Sequence, residues 1–135
     1  FKLEHIPQAV DMFRRAAELD PRNPYAQRML GHTLEKAGEY HEAQQVLEQA
    51  IKLAPNHAET HLMLGNTRYQ LRDFAGAEEA FNTTLACEPT NKEAYYNLAI
   101  LHARTDRKKE GLQHYREALD LGAPPNLALE ERLKQ

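Results

Sequence analysis

Apolar residues recur along this chain in two interlocked rhythms. Over short stretches they return every three or four residues, the spacing that lays an apolar stripe on one face of a helix. Tyr25, Met29, Leu30 and Leu34 make one such stripe up to a break at Gly38. Ala43, Val46, Leu47 and Ala50 make the next, stopped by Pro55. Over longer distances whole columns keep their residue class at a step of 34: Leu30, Leu64 and Leu98; Gly31, Gly65 and Ala99; Ala9, Ala43, Ala77 and Gly111; Phe13, Leu47, Phe81 and Tyr115. Pro21, Pro55 and Pro89 keep the same step. A period of this length marks a repeated supersecondary unit.

Each unit reads as two helices. Asn23-Pro24 is a capping residue followed by proline at the first helical position, and it opens a helix that runs to the break at Gly38. A second helix runs from Tyr40 through Leu53. Equivalent pairs are predicted at about 57–71 with 74–87 and 91–104 with 107–121. A lone helix over 6–19, opened by Pro7, precedes them, and a short amphipathic helix over 126–134 follows Pro124-Pro125. The expectation is about eight helices and no sheet. Glycine or alanine at 31, 65 and 99 is expected to face the small residues 43, 77 and 111, with the large column filling the space where the helices diverge. One pair cannot bury both its faces, so the units must stack into a solenoid.

Composition agrees. Alanine (19) and leucine (18) dominate while valine (2) and isoleucine (3) are scarce, which favours helix over strand. The 135 residues are room for one domain. No apolar run approaches the roughly 20 residues of a membrane-spanning helix. The net charge of -3 argues against a polyanion-binding surface. One cysteine cannot form an intramolecular disulfide. Serine is absent, which removes serine-nucleophile chemistry from this segment. The chain opens at Phe1 without methionine or signal pattern and is expected to be a fragment; cytoplasmic is the default compartment, not a deduced one.

The stretches Leu30 to Ala43 (LGHTLEKAGEYHEA) and Leu64 to Ala77 (LGNTRYQLRDFAGA) are similar to the tetratricopeptide repeat family. The resemblance covers nearly the whole chain. It implies a single all-α domain, a right-handed superhelical solenoid of antiparallel helix pairs. Full repeats are placed at 24–57, 58–91 and 92–125, the second half of a truncated repeat at 1–23, and a C-terminal capping helix at 126–135. Where the family holds an aromatic or aliphatic residue at the turn within each helix pair, Ile6, Tyr40 and Phe74 conform but Lys108 does not. The turn from Asp106 to Lys109 is therefore expected to be less tightly anchored.

No constellation of catalytic residues emerges. His57 and His61 share a spacing that metals use, but HAETH is neither the zincin nor the inverted zincin motif, and the reading is capping plus packing with no metal. Cys87 shares a column with Leu19, Leu53 and Leu121, read as a packing position. The glycines form no phosphate loop, and no cofactor is expected. The basic cluster Arg104, Arg107, Lys108, Lys109 is compensated by Asp106 and Glu110 and is read as a solvated turn, not a nucleic-acid footprint.

The resemblance implies a concave face lined by the first helix of each pair, and with it a non-catalytic scaffold that holds a peptide or helix of a partner protein. The residues carried onto that face are Tyr25, Arg28, Met29 and His32, then Leu62, Met63, Asn66 and Tyr69, then Tyr96, Asn97, Ile100 and Arg104. Methionine and aliphatic residues offer adaptable area, tyrosines rigid anchors, and asparagines paired donors and acceptors for a peptide backbone. A chaperone-tail carboxylate clamp does not fit, because Glu93 carries the wrong charge for it. Two rivals remain: a module that self-assembles through its ends, and the substrate-presenting region of a larger enzyme. Self-association is expected through an uncovered stripe of Ile6, Val10 and Phe13 together with the Phe1–Leu3 tail.

Overall fold

The computed structural model describes residues 5–135. Eight α-helices succeed one another: α1 (Ile6–Leu19), α2 (Pro24–Lys36), α3 (Tyr40–Leu53), α4 (Ala58–Gln70), α5 (Phe74–Cys87), α6 (Lys92–Arg104), α7 (Lys108–Asp120) and α8 (Leu127–Lys134). The described residues contain no strand.

Local chemistry sets the boundaries. The Asn23 side chain accepts hydrogen bonds from the Tyr25 and Ala26 amides, with Pro24 at the first helical position. Asp73, Asn91 and Asn126 cap α5, α6 and α8 in the same way through the Gly76, Ala94 and Leu129 amides. His57 stands at the start of α4 but bonds no backbone amide there, and its Nδ1 faces Thr60 Oγ1 at 3.3 Å. His61 is buried, with Nε2 2.8 Å from the Pro55 carbonyl oxygen.

Two kinds of turn alternate. Within pairs the chain reverses through a left-handed residue: Gly38 (φ 82°), Arg72 (φ 63°) and Asp106 (φ 60°). The next amide, from Glu39, Asp73 or Arg107, then reaches back to the carbonyl of Leu34, Arg68 or His102. Between pairs, Asp20, Ala54 and Glu88 leave the helix with ψ of 81° to 89°, because the proline after each disfavours helical backbone before it. The third intra-pair turn is not the loose one expected. Its amide bond measures 2.8 Å, and Arg107 anchors it through ion pairs to Glu78 (2.7 Å) and Glu110 (2.6 Å). Charge pairing replaces the missing apolar residue.

Packing corrects the sequence expectation at several points. Gly31 and Gly65 do not mainly meet small residues; they take the large ones directly. A Cβ on Gly31 would lie 2.6 Å from Leu47, and one on Gly65 would lie 2.5 Å from the Phe81 ring. In the first two pairs the large column thus marks the close contact, whereas in the third a Cβ on Gly111 would lie 3.3 Å from the Ala99 carbonyl oxygen, the small-against-small approach expected. The column of Leu19, Leu53, Cys87 and Leu121 is no core position: Leu19 is 81% and Leu53 38% exposed, and Cys87 and Leu121 are half-buried. On α1, Ile6 and Ala9 are buried, while Val10 and Phe13 pack against the cluster of Ala17, Ala26, Leu30, Leu34 and Ala43. Val10 and Phe13 are half-buried, and Ile6 and Val10 line an open cleft of about 400 Å3 between α1, the end of α2 and the start of α3; Met12 and Leu19 are the exposed large apolar residues of α1. The Phe1–Leu3 tail lies outside the described residues.

Each helix packs on the next in sequence, and α2, α4, α6 and α8 also touch one another in a row. Among the described residues α3, α5 and α7 form no such row. The side on which alternate helices meet is the inner side of the curve.

Candidate functional site

The inner row brings Asn66 of α4 and Asn97 of α6 together: Asn97 Nδ2 donates to Asn66 Oδ1 at 2.8 Å. Each side chain keeps hydrogen-bonding capacity beyond that bond, so the pair offers both donors and acceptors to the groove. Around it lies an open pocket of about 210 Å3 lined by Glu35, Asn66, Tyr69, Gln70, Phe81, Asn97 and Ile100. Four of the sequence-predicted residues meet here.

Tyr69 forms one wall. Its ring stands edge-on to Phe74 with centroids 5.5 Å apart. The Arg104 guanidinium lies 5.7 Å from the Tyr69 centroid and 5.6 Å from that of Phe74, and Arg104 Nη1 donates to the Tyr69 hydroxyl at 3.4 Å. Farther along, Tyr96 is held by the C-terminal helix, since Asn126 Nδ2 donates to its hydroxyl at 2.7 Å. Tyr96 and Asn97 share a second pocket of about 290 Å3 with Lys92, Glu93, Ala123 and Pro124.

The remaining predicted residues are dispersed. Tyr25 is exposed, with the Arg28 guanidinium 5.4 Å from its ring centroid. Met29 and His32 are half-buried; burial, then Lys36, pushes the His32 imidazole below its ordinary value. Met63 packs against Leu47, Leu64 and Ala80. Leu62 is a correction: it is 2% exposed and belongs to the core with Ala77, Phe81, Ala94, Leu98 and Leu101. At that helical phase the side chain points between the helices, not into the groove.

A second cluster escaped sequence reasoning. His102, buried on α6, places Nε2 2.6 Å from Glu78 Oε2 of α5. A carboxylate only accepts, so that nitrogen carries a proton. The His102 and His114 Nδ1 atoms are 3.2 Å apart. Burial pushes Glu78 up, but the hydrogen bonds from His102 and Arg107 outweigh it and hold the carboxyl below its usual range. Burial and the nearby His102 push the His114 imidazole down. Glu78, His102 and Glu110 place ligand-type atoms within 4.8 Å of one another, close enough for a divalent cation. The Arg107 guanidinium already spans the two carboxylates, so the arrangement reads as an ion-pair node joining α5 to the α6–α7 turn. The Arg107–Glu110 spacing was visible in the sequence; Glu78, 24 residues before His102, was not.

No helix among the described residues is long and apolar enough to cross a membrane. The tetratricopeptide repeat pattern matches residues 1–61 and 34–99, and a second pattern of the same description matches 92–121. No curated protein matches the chain. Several solved structures resemble it. A crystal structure of MamA superposes with a TM-score of 0.85 at 19% identity, covering 95% of this chain and 74% of that one. YrrB, described as a TPR protein with an unusual peptide-binding site, gives 0.83 at 23% identity, covering 98% and 68%. TTC0263, a thermophilic TPR protein of Thermus thermophilus, gives 0.80 at 25% identity, covering 98% and 73%.

Proposed function

The chain belongs to the tetratricopeptide repeat family, and from that premise we propose that it holds an extended segment of a partner protein in its inner groove. The family and the solenoid fold make it a protein-interaction scaffold. The groove reading rests on one observation, the Asn66–Asn97 pair at the centre of the inner row. An extended peptide presents alternating N–H and C=O groups, and two amides fixed against each other offer the complementary set without ordering either side chain on binding. Tyr69 and Ile100 flank the pair with apolar surface for the peptide's side chains. YrrB, similar in fold, is described as having a peptide-binding site, which makes peptide capture a reasonable use of this architecture.

We assign the domain no chemical step. The tight titratable cluster found among the described residues is engaged in joining α5 to the α6–α7 turn. The test is a selection of displayed random nine-residue peptides on the parent protein, followed by affinity measurements on variants. Asn97→Ala should weaken a selected peptide by roughly 1–3 kcal/mol, the cost of losing a buried hydrogen-bond partner. Glu79→Ala, a change on α5 away from the inner row, should leave affinity unchanged. Equal losses from both would move the site off the groove.

A further inference from the structure

We propose that the groove selects a segment bearing an internal acidic side chain, and that Arg104 receives that carboxylate. The proposal rests on the groove reading and deepens it by naming the partner's chemistry.

Arg104 differs from the cations that the fold uses for itself. Arg14 pairs with Glu42, Arg107 with Glu78 and Glu110, and Lys134 with Glu130. Arg104, exposed at the end of α6, pairs with no carboxylate among the described residues. Its guanidinium is instead held near two aromatic rings, with a single long hydrogen bond to the Tyr69 hydroxyl. The rings hold the guanidinium in one place, while most of its N–H donors remain unspent. A planar guanidinium in that state suits a carboxylate, which it can meet with two parallel hydrogen bonds.

Position supplies the second half of the argument. Tyr69, which carries Arg104, also lines the pocket around Asn66 and Asn97. Arg104 follows Asn97 by seven residues on α6, about 10 Å of helix at 1.5 Å per residue. An extended strand covers that length in about three residues. A segment whose backbone engages the asparagines and then runs along α6 sets an acidic residue some three positions away within reach of Arg104. The pocket's own acid is Glu35 of α2, beside Lys36 at 3.9 Å. It stands on the far side of α4 from α6, and the groove acid of α6, Glu93, lies in the first turn of that helix, at the opposite end from Arg104, so negative charge is accepted at the C-terminal end of α6 and disfavoured beside Glu35 and Glu93.

The experiment repeats the peptide selection on the parent and on Arg104→Gln, with peptides displayed so that they have no free C-terminus. Peptides from the parent should be enriched in Asp or Glu at one fixed position, and selection on Arg104→Gln should lose that enrichment. For a synthetic selected peptide with both ends blocked, Arg104→Gln and replacement of its acid by the amide should each weaken binding roughly tenfold or more. The two losses should not add. Arg104→Lys, which keeps charge but not the planar fork, should fall between. Circular dichroism and melting temperature of each variant separate lost binding from lost fold. Peptides that need Asn97 yet show no acidic preference, or that ignore Arg104→Gln, overturn the Arg104 assignment and leave the groove standing. Peptides that all ignore Asn97→Ala overturn the groove, and this proposal with it.

Discussion

Asn97 and Asn66 are 31 residues apart in the chain and joined by one hydrogen bond of 2.8 Å across the inner row. The bond ties α6 to α4 on the side facing the groove. A structural role and a recognition role thus fall on the same two amides, and substitutions can separate them.

Asn97→Ala removes both roles and should cost stability by about 0.5–1.5 kcal/mol as well as weakening peptide binding. Asn97→Asp should behave differently. The Asn66 amide can rotate to donate to the new carboxylate, keeping the cross-helix bond while removing the Asn97 donor from the groove. Urea unfolding of Asn97→Asp near the parent midpoint, combined with lost peptide binding, is the expected pattern. A parallel loss of both would mean that the pair is purely structural.

Gly65→Ala should destabilise by roughly 1–3 kcal/mol, because the added methyl would lie 2.5 Å from the Phe81 ring. Gly38→Ala should also cost, by about 1 kcal/mol, for an unrelated reason. Nothing lies within 4 Å of its Cβ position, but its φ is 82°. Shortening residue 81 separates the two: Phe81→Leu should relieve part of the Gly65→Ala penalty in denaturant melts and none of the Gly38→Ala penalty.

Leu62→Ala should cost about 2–5 kcal/mol, as expected for a core cavity, whereas Leu19→Ala should stay within about 0.5 kcal/mol. Both residues break the simple column reading, one buried where a groove residue was expected and one exposed where packing was. Chemical denaturation of the two variants checks this.

Acid should loosen the domain in two stages. His114 is held below the ordinary imidazole value of 6.5, chiefly by burial, so the unfolded chain binds this proton more readily and stability falls as pH drops through 6.5. Glu78 is held below its ordinary 4.5 against the opposing effect of burial; its contribution is full above 4.5 and lost as pH falls through the lower folded value. Thermal melts carried from pH 8 down to about pH 2.5 should show both losses. His32 is held down by burial too, so His114→Gln should flatten the upper loss in part and the double change with His32→Gln should flatten it further; an unchanged slope in His114→Gln would remove His114 from it.

The repeat grid made the fold legible because a step of 34 repeats a physical demand: a proline ending each pair, an apolar stripe on each helix, a capping residue at Asn23 and Asn91. The grid is blind to differences between units. Gly38, Arg72 and Asp106 share one backbone conformation although only glycine adopts it freely. The Glu78–His102 contact links positions that have no counterparts at the same step, since Gln44 and Leu112 align with Glu78 and Leu34 and Arg68 with His102. The groove was legible as a set of positions, not as neighbours. Nothing in the spacing of Asn66 and Asn97 says that their amides bond to each other, or that Arg104 leans on Tyr69 and Phe74.

Apart from the inner row and the Arg14–Glu42 ion pair that ties α1 to α3, the described helices pack on their neighbours in sequence. Mechanically, that is a set of joints largely in series, whose compliances add, and beyond α3 only the inner row braces one joint against another. A small rotation at the α4–α6 joint is therefore carried undiminished to both tips of the coil. Anything that bridges Asn66 and Asn97 stiffens one turn of a torsion spring, and the tips register the change as an altered angle between whatever is fastened to them.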